Sequence, residues 1–173
     1  LMLPGEALNH DNFSNIIHDI ALLSSLGVRL VLVHGARPQI DSRLQQAGTP
    51  GRFHHNLRIT DSSNLAPVIQ AIGEARITVE AALSTGLPNS PMHGAHMQVL
   101  SGNFAVAQPH GVIDGVDLQH TGKVRKVNIA PLQAALDSRA IALLSPLGYS
   151  PTGEIFNLSF SDVATHVATA IKA

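Results

Sequence analysis

The sequence predicts an α/β fold with a β-hairpin insertion, and three observations support this class. Three short apolar stretches have the composition of buried parallel strands: Leu1–Leu3, Val28–Val33 and Ala140–Leu144. An amphipathic helical pattern separates the first two stretches, which makes a right-handed βαβ unit. From Ala95 onward the apolar period changes to that of antiparallel strands.

The composition indicates one folded domain without a strong electrostatic partner. The chain has 173 residues, 45% of them apolar and 13% charged, and a formal net charge of −1. This length supports a proper core, and the charge predicts neither a nucleic-acid nor a membrane partner. The absence of cysteine excludes disulfides, thiolate zinc sites and cysteine nucleophiles, and it fits a reducing cytoplasm. No apolar run approaches the ~20 residues of a membrane span.

The opening segment LMLPGEAL indicates a piece of a longer protein. It has no basic segment and is not a signal peptide, it resembles the end of a strand, and it does not begin with Met. We expect residues 1–173 to form one incomplete domain.

Local signals place the helices of the first half. The helix at 12–27 can be capped by Asn12 or Ser14, and Gly27 suits its left-handed C-terminal position. Its shared apolar face is predicted to comprise Ile16, Ile20, Leu23 and Leu26. The next helix starts at Pro38. Its buried stripe is predicted at Ile40 and Leu44.

A third helix is predicted over Asp61–Leu83, with two possible starts. If Asn64 is the cap, Pro67 lies in the tolerated first turn; if Asp61 is the cap, Pro67 should kink the helix.

The sequence of the second half of the chain predicts a group of antiparallel strands between two helices. AHMQVLSGNFAVAQP indicates a hairpin around Ser101-Gly102-Asn103, and DGVDLQHTGKVRKV continues it. A short helix is expected near Pro131–Ser138, followed by the strand of the 140s. The chain ends in a helix whose aligned apolar residues are Val163, Val167 and Ile171.

The turn Gly35-Ala36-Arg37-Pro38 is the first candidate site. A strand that leads into a helix N-terminus directs unpaired N–H groups and the positive dipole end at an anion. Arg37 can add a guanidinium for a carboxylate or phosphate. The alternative is that Gly35 only makes the tight turn of a βα unit, since neither GxGxxG nor GxxxxGK[ST] is present.

Two further polar residues are candidates for a cleft above the sheet. Arg58, in LRITD, lies between an apolar stretch and a helix cap; a solvated surface charge is its alternative role. Asp61 is predicted to be that cap. Asn157 precedes a helix opened by Ser159 or Ser161, and its amide can reach the cleft or serve only the turn.

The ten histidines form no recognisable metal motif. The candidates considered are His54, His55, His93, His96, His110 and His120. His93 and His96 are three apart in a Gly-rich stretch, and neither Cys nor HExxH accompanies them, whereas zinc needs three or four converging ligands. We predict scattered, partly exposed imidazoles and no metal site. There is also no GxSxG elbow.

Four segments together resemble the amino-acid kinase family, and within it the kinase-like domain of bacterial N-acetylglutamate synthases. They are VHGARPQID (33–41), LRITD (57–61), SGNFAVAQPHGVIDGVDLQHTGKVRK (101–126) and TGEIFNL (152–158). The segments occur in order along the whole chain, and GARPQID and DGVD…HTGKVRK favour the synthases over the kinases. The resemblance implies a three-layer αβα sandwich with a mainly parallel central sheet, of which residues 1–173 form the N-terminal lobe.

Residues that carry phosphoryl transfer in the resembled kinases differ here. Their Lys-x-Gly-Gly corresponds to MLPG, with Met2 in place of the lysine and Pro4 in place of the first glycine. Where the kinases have the last two glycines of their glycine loop, this chain has Ala36 and Arg37. Where they have the aspartate of Asn-x-Asn-Ala-Asp, it has Ser161. Asp162 lies about 100° further round the helix and should point elsewhere. Because phosphoryl transfer depends on positioned positive charge, we predict no kinase activity and no catalytic residue.

The resemblance also implies a function. N-acetylglutamate synthases convert acetyl-CoA and L-glutamate to N-acetylglutamate and CoA, the first step of arginine biosynthesis, in a separate GNAT domain, and arginine inhibits them. No GNAT pyrophosphate loop and no second lobe are recognisable here. We expect a kinase-dead regulatory or assembly lobe of a cytoplasmic homo-oligomer, inactive alone and without a cofactor, acetyl-CoA being a co-substrate of the parent protein.

A second hypothesis is a module that binds an acylated amino acid, or an acetylglutamate kinase relative. In the resembled kinases the matching arginine and asparagine hold substrate. We therefore expect Gly35, Arg58 and Asn157 to be the polar contacts of this pocket, and together with Arg37 of the βα turn they are the predicted ligand-binding residues. The expected ligand is glutamate or N-acetylglutamate. A third possibility is that the lobe mainly mediates subunit contact.

Overall fold

The computed structural model describes residues 1–85 and 97–173. A short 3₁₀ turn at Gly5–Asn9 follows the first strand. The helices are α1 (Phe13–Ser25), α2 (Arg37–Gln46), α3 (Ser62–Ser84), α4 (Ile129–Asp137) and α5 (Phe160–Ile171). The strands are β1 (Met2–Leu3), β2 (Val31–His34), β3 (Arg52–His54), β4 (Leu57–Ile59), β5 (Val99–Ser101), β6 (Ala105–Pro109), β7 (Val112–Ile113), β8 (Val116–Asp117), β9 (Gly122–Val127), β10 (Ile141–Leu144), β11 (Leu147–Tyr149) and β12 (Ile155–Asn157).

A parallel four-stranded sheet in the order β1-β2-β10-β5 forms the middle layer. Successive residues of its strands point to opposite faces. Leu32 and Leu143 pack with α1 and the end of α3, whereas Val33 and Leu144 pack with α4 and α5. The predicted three-layer α/β class with a mainly parallel sheet is confirmed, and its three predicted strands are β1, β2 and β10.

The five predicted helices are present, but the predicted details of α1 are only partly correct: Asn12 makes no side-chain cap bond, and Ile16 and Leu23 are only half-buried. The buried face of α1 comprises Ile17, Ile20 and Ala21, while Leu26 is 71% exposed because it follows the last helical turn. Asp61 is the cap of α3 and accepts hydrogen bonds from the N–H groups of Ser63 and Asn64. The helix continues through Pro67 to Ser84.

The predicted hairpin around Ser101-Gly102-Asn103 is wrong. β5 pairs with β10 in the parallel sheet, whereas β6 belongs to a second sheet in the order β12-β11-β6-β9. β5 is partly buried on both faces as the edge of the parallel sheet, with Val99 on the α1 side and Leu100 on the α5 side, whereas β6 pairs with β9 and β11. The later antiparallel excursion is confirmed, with β9 antiparallel to β6 and a small β7–β8 hairpin.

Within residues 1–85 and 97–173, none of the helices is both long enough and apolar enough to cross a bilayer.

Candidate functional site

A cleft of about 350 Å³ opens where β1, β2 and β12 end. Its walls come from the β1 loop, the start of α2, the β3–β4 hairpin and the start of α5. All four residues predicted to bind a ligand line it: Gly35, Arg37, Arg58 and Asn157. The fold therefore brings together side chains that are up to 122 positions apart in sequence (Gly35 to Asn157).

Gly35 allows two loops to approach each other closely. Its N–H donates to the Leu3 carbonyl at 2.7 Å, and a Cβ on Gly35 would lie 2.9 Å from the Gly5 nitrogen. Because this N–H is already bonded, it is not available to an anion. Gly35 therefore lines the cleft as part of a tight turn, which is the simpler of its two predicted roles.

The start of α2 nevertheless presents positive charge to the cleft. The cap residue of α2, Ala36, provides no side-chain hydrogen bond to the first turn, so the dipole end of the helix has no side-chain cap. The exposed Arg37 side chain adjoins it, with its guanidinium carbon 5.0 Å from the centre of the Phe53 ring.

Arg58 approaches the Phe53 ring too, with its guanidinium carbon 4.6 Å from the ring centre. Two cations on one aromatic ring are held in place by cation–π attraction. Phe53 therefore contacts both predicted guanidiniums, one from the start of α2 and one from the β3–β4 hairpin.

Arg58 is buried, contrary to its alternative role as a solvated surface charge. Its side chain is 6% exposed, and Nη2 donates to Asp41 Oδ1 at 2.5 Å. Nη1 lies against Gly51, where a Cβ would collide with it, and has no hydrogen-bond partner among the described residues. Buried donors normally have a partner, so this guanidinium retains capacity for one more acceptor.

A buried hydrogen-bond network behind the cleft fixes Asn157 and the Arg58 backbone. The Asn157 amide donates to the Thr60 hydroxyl at 3.0 Å. That hydroxyl lies 2.9 Å from the Thr121 hydroxyl, which donates to the Arg58 carbonyl and accepts from the Thr60 N–H at 3.2 Å. Thr60, Thr121 and Asn157 are all buried. The amide of Asn157 is thus oriented by the fold before any ligand arrives.

His34 closes the end of β2 beneath the cleft. It is fully buried, with Nδ1 3.1 Å from the Gly35 carbonyl and Nε2 2.8 Å from the Ser145 hydroxyl. Burial lowers the pKa of His34, an effect that the bond to the Gly35 carbonyl opposes. The neutral imidazole therefore connects β2 to the end of β10.

The positions that differ from the kinases supply no equivalent charge to the cleft. Met2 is half-exposed and lies outside the cleft lining. Ser161 lines it and hydrogen-bonds Ser159 at 2.7 Å. Asp162 points elsewhere, as predicted: its carboxylate accepts from the Val124 N–H at 3.0 Å and contacts His166. Among the described residues, no lysine lines this cleft.

The histidines do not all follow the prediction of scattered imidazoles. His54 and His55 lie beside Asp114, whereas His110 and His120 lie outside this group. His93 and His96 fall outside the described residues. The side chains of Lys123, Arg125 and Lys126 on β9 are exposed.

Sequence reasoning missed the residues that support the predicted ones. Asp41 lies within GARPQID, four positions after Arg37, and this spacing was the available signal that both side chains lie on one face of α2. Phe53, Thr60 and Thr121 gave no such signal, because their roles depend on long-range contacts.

Comparison with known proteins agrees with this fold. The amino acid kinase family matches residues 1–173. The amino-acid acetyltransferases of Azotobacter vinelandii and Pseudomonas syringae pv. syringae are 58% and 57% identical over all 173 residues. The chain spans 40% of the length of these relatives.

Solved structures give the same result. N-acetylglutamate synthase from Neisseria gonorrhoeae, complexed with coenzyme A and L-arginine, superposes with a TM-score of 0.90 at 36% identity. The match covers 99% of this chain and 40% of that one. The complex of the same synthase with coenzyme A and N-acetyl-glutamate gives 0.87 at 37% identity, over 99% and 38% of the two chains. The resemblance carried by the four motif segments is confirmed, and the chain belongs to the amino acid kinase family.

Proposed function

We propose that this chain is the kinase-like, non-catalytic part of an amino-acid acetyltransferase that forms N-acetylglutamate and CoA from acetyl-CoA and L-glutamate. Acetyl transfer occurs in residues outside the 173, and this lobe serves regulation and assembly. The single observation that carries the proposal is the 58% identity over the whole chain to an amino-acid acetyltransferase of which it spans 40%.

The geometry of the cleft supports the non-catalytic role. A phosphoryl-transfer site needs cations placed around the transferred group and a residue that organises them. Here the cations at the cleft, Arg37 and Arg58, are stacked on Phe53, and Arg58 is paired with Asp41. Ser161 stands where the kinases have their aspartate, and the carboxylate of the neighbouring Asp162 accepts a hydrogen bond from the Val124 N–H in β9.

CoA release from acetyl-CoA in the presence of L-glutamate tests this proposal. The natural full-length protein should release CoA in a glutamate-dependent manner, and the 173-residue chain should not. Glutamate-dependent release by the 173-residue chain alone, or no release by the full-length protein, would contradict it.

The cleft supports a second function, binding of an acylated amino acid such as N-acetylglutamate. The specific observation is that the guanidinium groups of Arg37 and Arg58 line one cleft with the Asn157 amide, which its hydrogen bond to the Thr60 hydroxyl holds in place. A carboxylate is the chemical partner for such a guanidinium. The amide of Asn157 suits the polar atoms of the acyl or amino group.

Calorimetry with N-acetylglutamate tests this binding. Arg37→Gln should weaken it roughly three- to tenfold, since an exposed charge-assisted bond is lost without any buried contact. Arg29→Gln is the matched control, because Arg29 is also exposed and lies outside the cleft. Equal affinity in both variants, or no heat at millimolar ligand, would refute binding at this cleft.

Regulation and assembly complete the proposal. One relative was solved in complex with L-arginine, which supports arginine as a ligand of the parent protein. As part of this proposal, arginine inhibits the parent protein, which works in a cytoplasmic biosynthetic pathway. The exposed face with Lys123, Arg125 and Lys126 is available for contact between subunits. Light scattering of the full-length protein should show a homo-oligomer, and a monomer at high concentration would count against the assembly role.

A further inference from the structure

Two tight hairpins bring three metal-ligating side chains together on one side of the cleft wall. His55 and Asn56 form the two-residue turn between β3 and β4, and Asp114 and Gly115 form the one between β7 and β8. All four turn residues have positive φ, as type I′ hairpin turns require. These turns place His54, His55 and Asp114 so that one donor atom of each lies within 4.8 Å of the others.

The distances in this cluster fit a metal ion. The carboxylate oxygen Oδ2 of Asp114 lies 3.6 Å from His54 Nε2 and 2.7 Å from His55 Nε2. For metal–ligand bonds of 2.0–2.1 Å in a tetrahedron, neighbouring donor atoms lie about 3.3 Å apart. The two observed distances bracket that value, so small side-chain rotations would complete the geometry.

His54 provides an observation that a surface ion pair does not explain. Its Nε2 is inaccessible to solvent and has no hydrogen-bond partner within the described part of the chain. It nevertheless faces the Asp114 carboxylate. A buried ring nitrogen that lacks a bond has an unsatisfied lone pair or proton, and a cation held between it and the carboxylate would satisfy it.

The geometry points to a divalent transition-metal site formed by His54, His55 and Asp114. Two imidazole nitrogens and one carboxylate suit Zn²⁺ and its neighbours, whereas Mg²⁺ and Ca²⁺ require oxygen ligands. Three protein ligands leave at least one position of a four-coordinate ion for water. Water can reach it because the side chains of His55 and Asp114 are both more than 60% exposed. The site is therefore open to solvent.

Metal binding would act on the wall of the cleft. The ion joins two hairpins that are 59 positions apart. The first hairpin carries Phe53 and Arg58, both of which line the cleft. Metal would therefore stabilise the position of this wall by binding the folded state only. This site is independent of the function proposed above.

Calorimetric titration of the tag-free 173-residue chain with Zn²⁺ at pH 7.5 tests the site. One ion per chain should bind, and the melting temperature should rise with Zn²⁺ concentration. Co²⁺ substitution should give the visible absorption of a low-coordinate nitrogen and oxygen site.

Two variants test the ligands without disturbing the turns. His55→Asn and Asp114→Asn both keep a residue that tolerates positive φ. Each should weaken Zn²⁺ binding by about tenfold or more, since even an outer-shell partner is worth 10–100-fold. His18→Asn, on the exposed face of α1, is the matched control and should bind as the unaltered chain does.

Three outcomes would overturn the site. One is the absence of stoichiometric binding, which would leave only a histidine–carboxylate ion pair. Another is unchanged affinity in both ligand variants. The third is an equal loss of affinity in His18→Asn, which would indicate dispersed surface binding.

Discussion

Replacing Thr121 by valine should destabilise the protein substantially, because one hydroxyl serves several buried groups. It donates to the Arg58 carbonyl, lies 2.9 Å from the Thr60 hydroxyl and accepts from the Thr60 N–H. Thr121 and Thr60 are 4% and 0% exposed, so water cannot replace the lost partner.

The expected loss follows from these contacts. Each buried polar group left without a partner costs about 1–3 kcal/mol. Two orphaned backbone groups, partly relieved by local relaxation, therefore give roughly 2–4 kcal/mol. For a domain of this size, each kcal/mol lowers the melting temperature by about 2–4 °C. We expect a fall of roughly 4–16 °C.

Urea denaturation followed by circular dichroism measures this change. Thr121→Ser keeps the hydroxyl and should cost about 1 kcal/mol or less. Thr165→Val makes the same chemical change at an exposed position of α5 and should stay within about 0.5 kcal/mol. If Thr121→Val lost no more than Thr165→Val, the network would not be what holds Asn157 and the Arg58 backbone in place.

Three further changes are predicted. Gly35→Ala should lower the free energy of unfolding by about 1–3 kcal/mol, because its Cβ would lie 2.9 Å from a backbone atom. Gly73→Ala in α3, with open space around it, should raise the free energy of unfolding by roughly 0.5–1 kcal/mol. Equal effects of the two variants in chemical denaturation would refute the close approach at Gly35. Burial lowers the pKa of His34 in the folded protein. Above the pKa of about 6.5 that histidine has in the unfolded chain, His34 is neutral in both states and does not make stability depend on pH. Below it, the unfolded chain binds the proton more readily, so the free energy of unfolding falls. Urea titrations between pH 7.5 and 5.5 should show that fall, less steep in His34→Gln; identical slopes would exclude His34 as the cause. Asp61→Ala removes the cap of α3 and should cost about 0.5–2 kcal/mol in thermal unfolding, and a change near zero would mean that the cap is dispensable.

The central sheet could be predicted because its strands are nearly continuous apolar runs. Val28–Val33 and Ala140–Leu144 have this composition whatever their neighbours are, and Asp61 precedes a helix with a capping side chain. Such signals are local. Local signals did not show which sheet β6 joins. Alternation of apolar residues predicts a strand, but the choice of its neighbouring strands depends on long-range contacts.

The sequence predicted which residues belong to the candidate site, but it did not predict the contacts that hold their side chains in place. The motifs indicated Arg37, Arg58 and Asn157, and the structure places them in one cleft. The contacts of the Phe53 ring with two guanidiniums, and the Thr60–Thr121 bond, depend on long-range chain contacts that no sequence spacing reveals. For the same reason His54 and His55 looked scattered, since their partner lies in a hairpin 59 positions away.

The prediction that this lobe transfers no phosphoryl group is tested most directly by product analysis of the natural full-length protein. The protein is incubated with L-glutamate, acetyl-CoA, N-acetylglutamate, ATP and Mg²⁺, and the products are identified by mass spectrometry. N-acetylglutamate formed from glutamate, with ATP unconsumed relative to a no-protein control, is the predicted result. ATP-dependent formation of a phosphorylated N-acetylglutamate would contradict it, because a lobe with Met2 and Ser161 at these positions should not transfer a phosphoryl group.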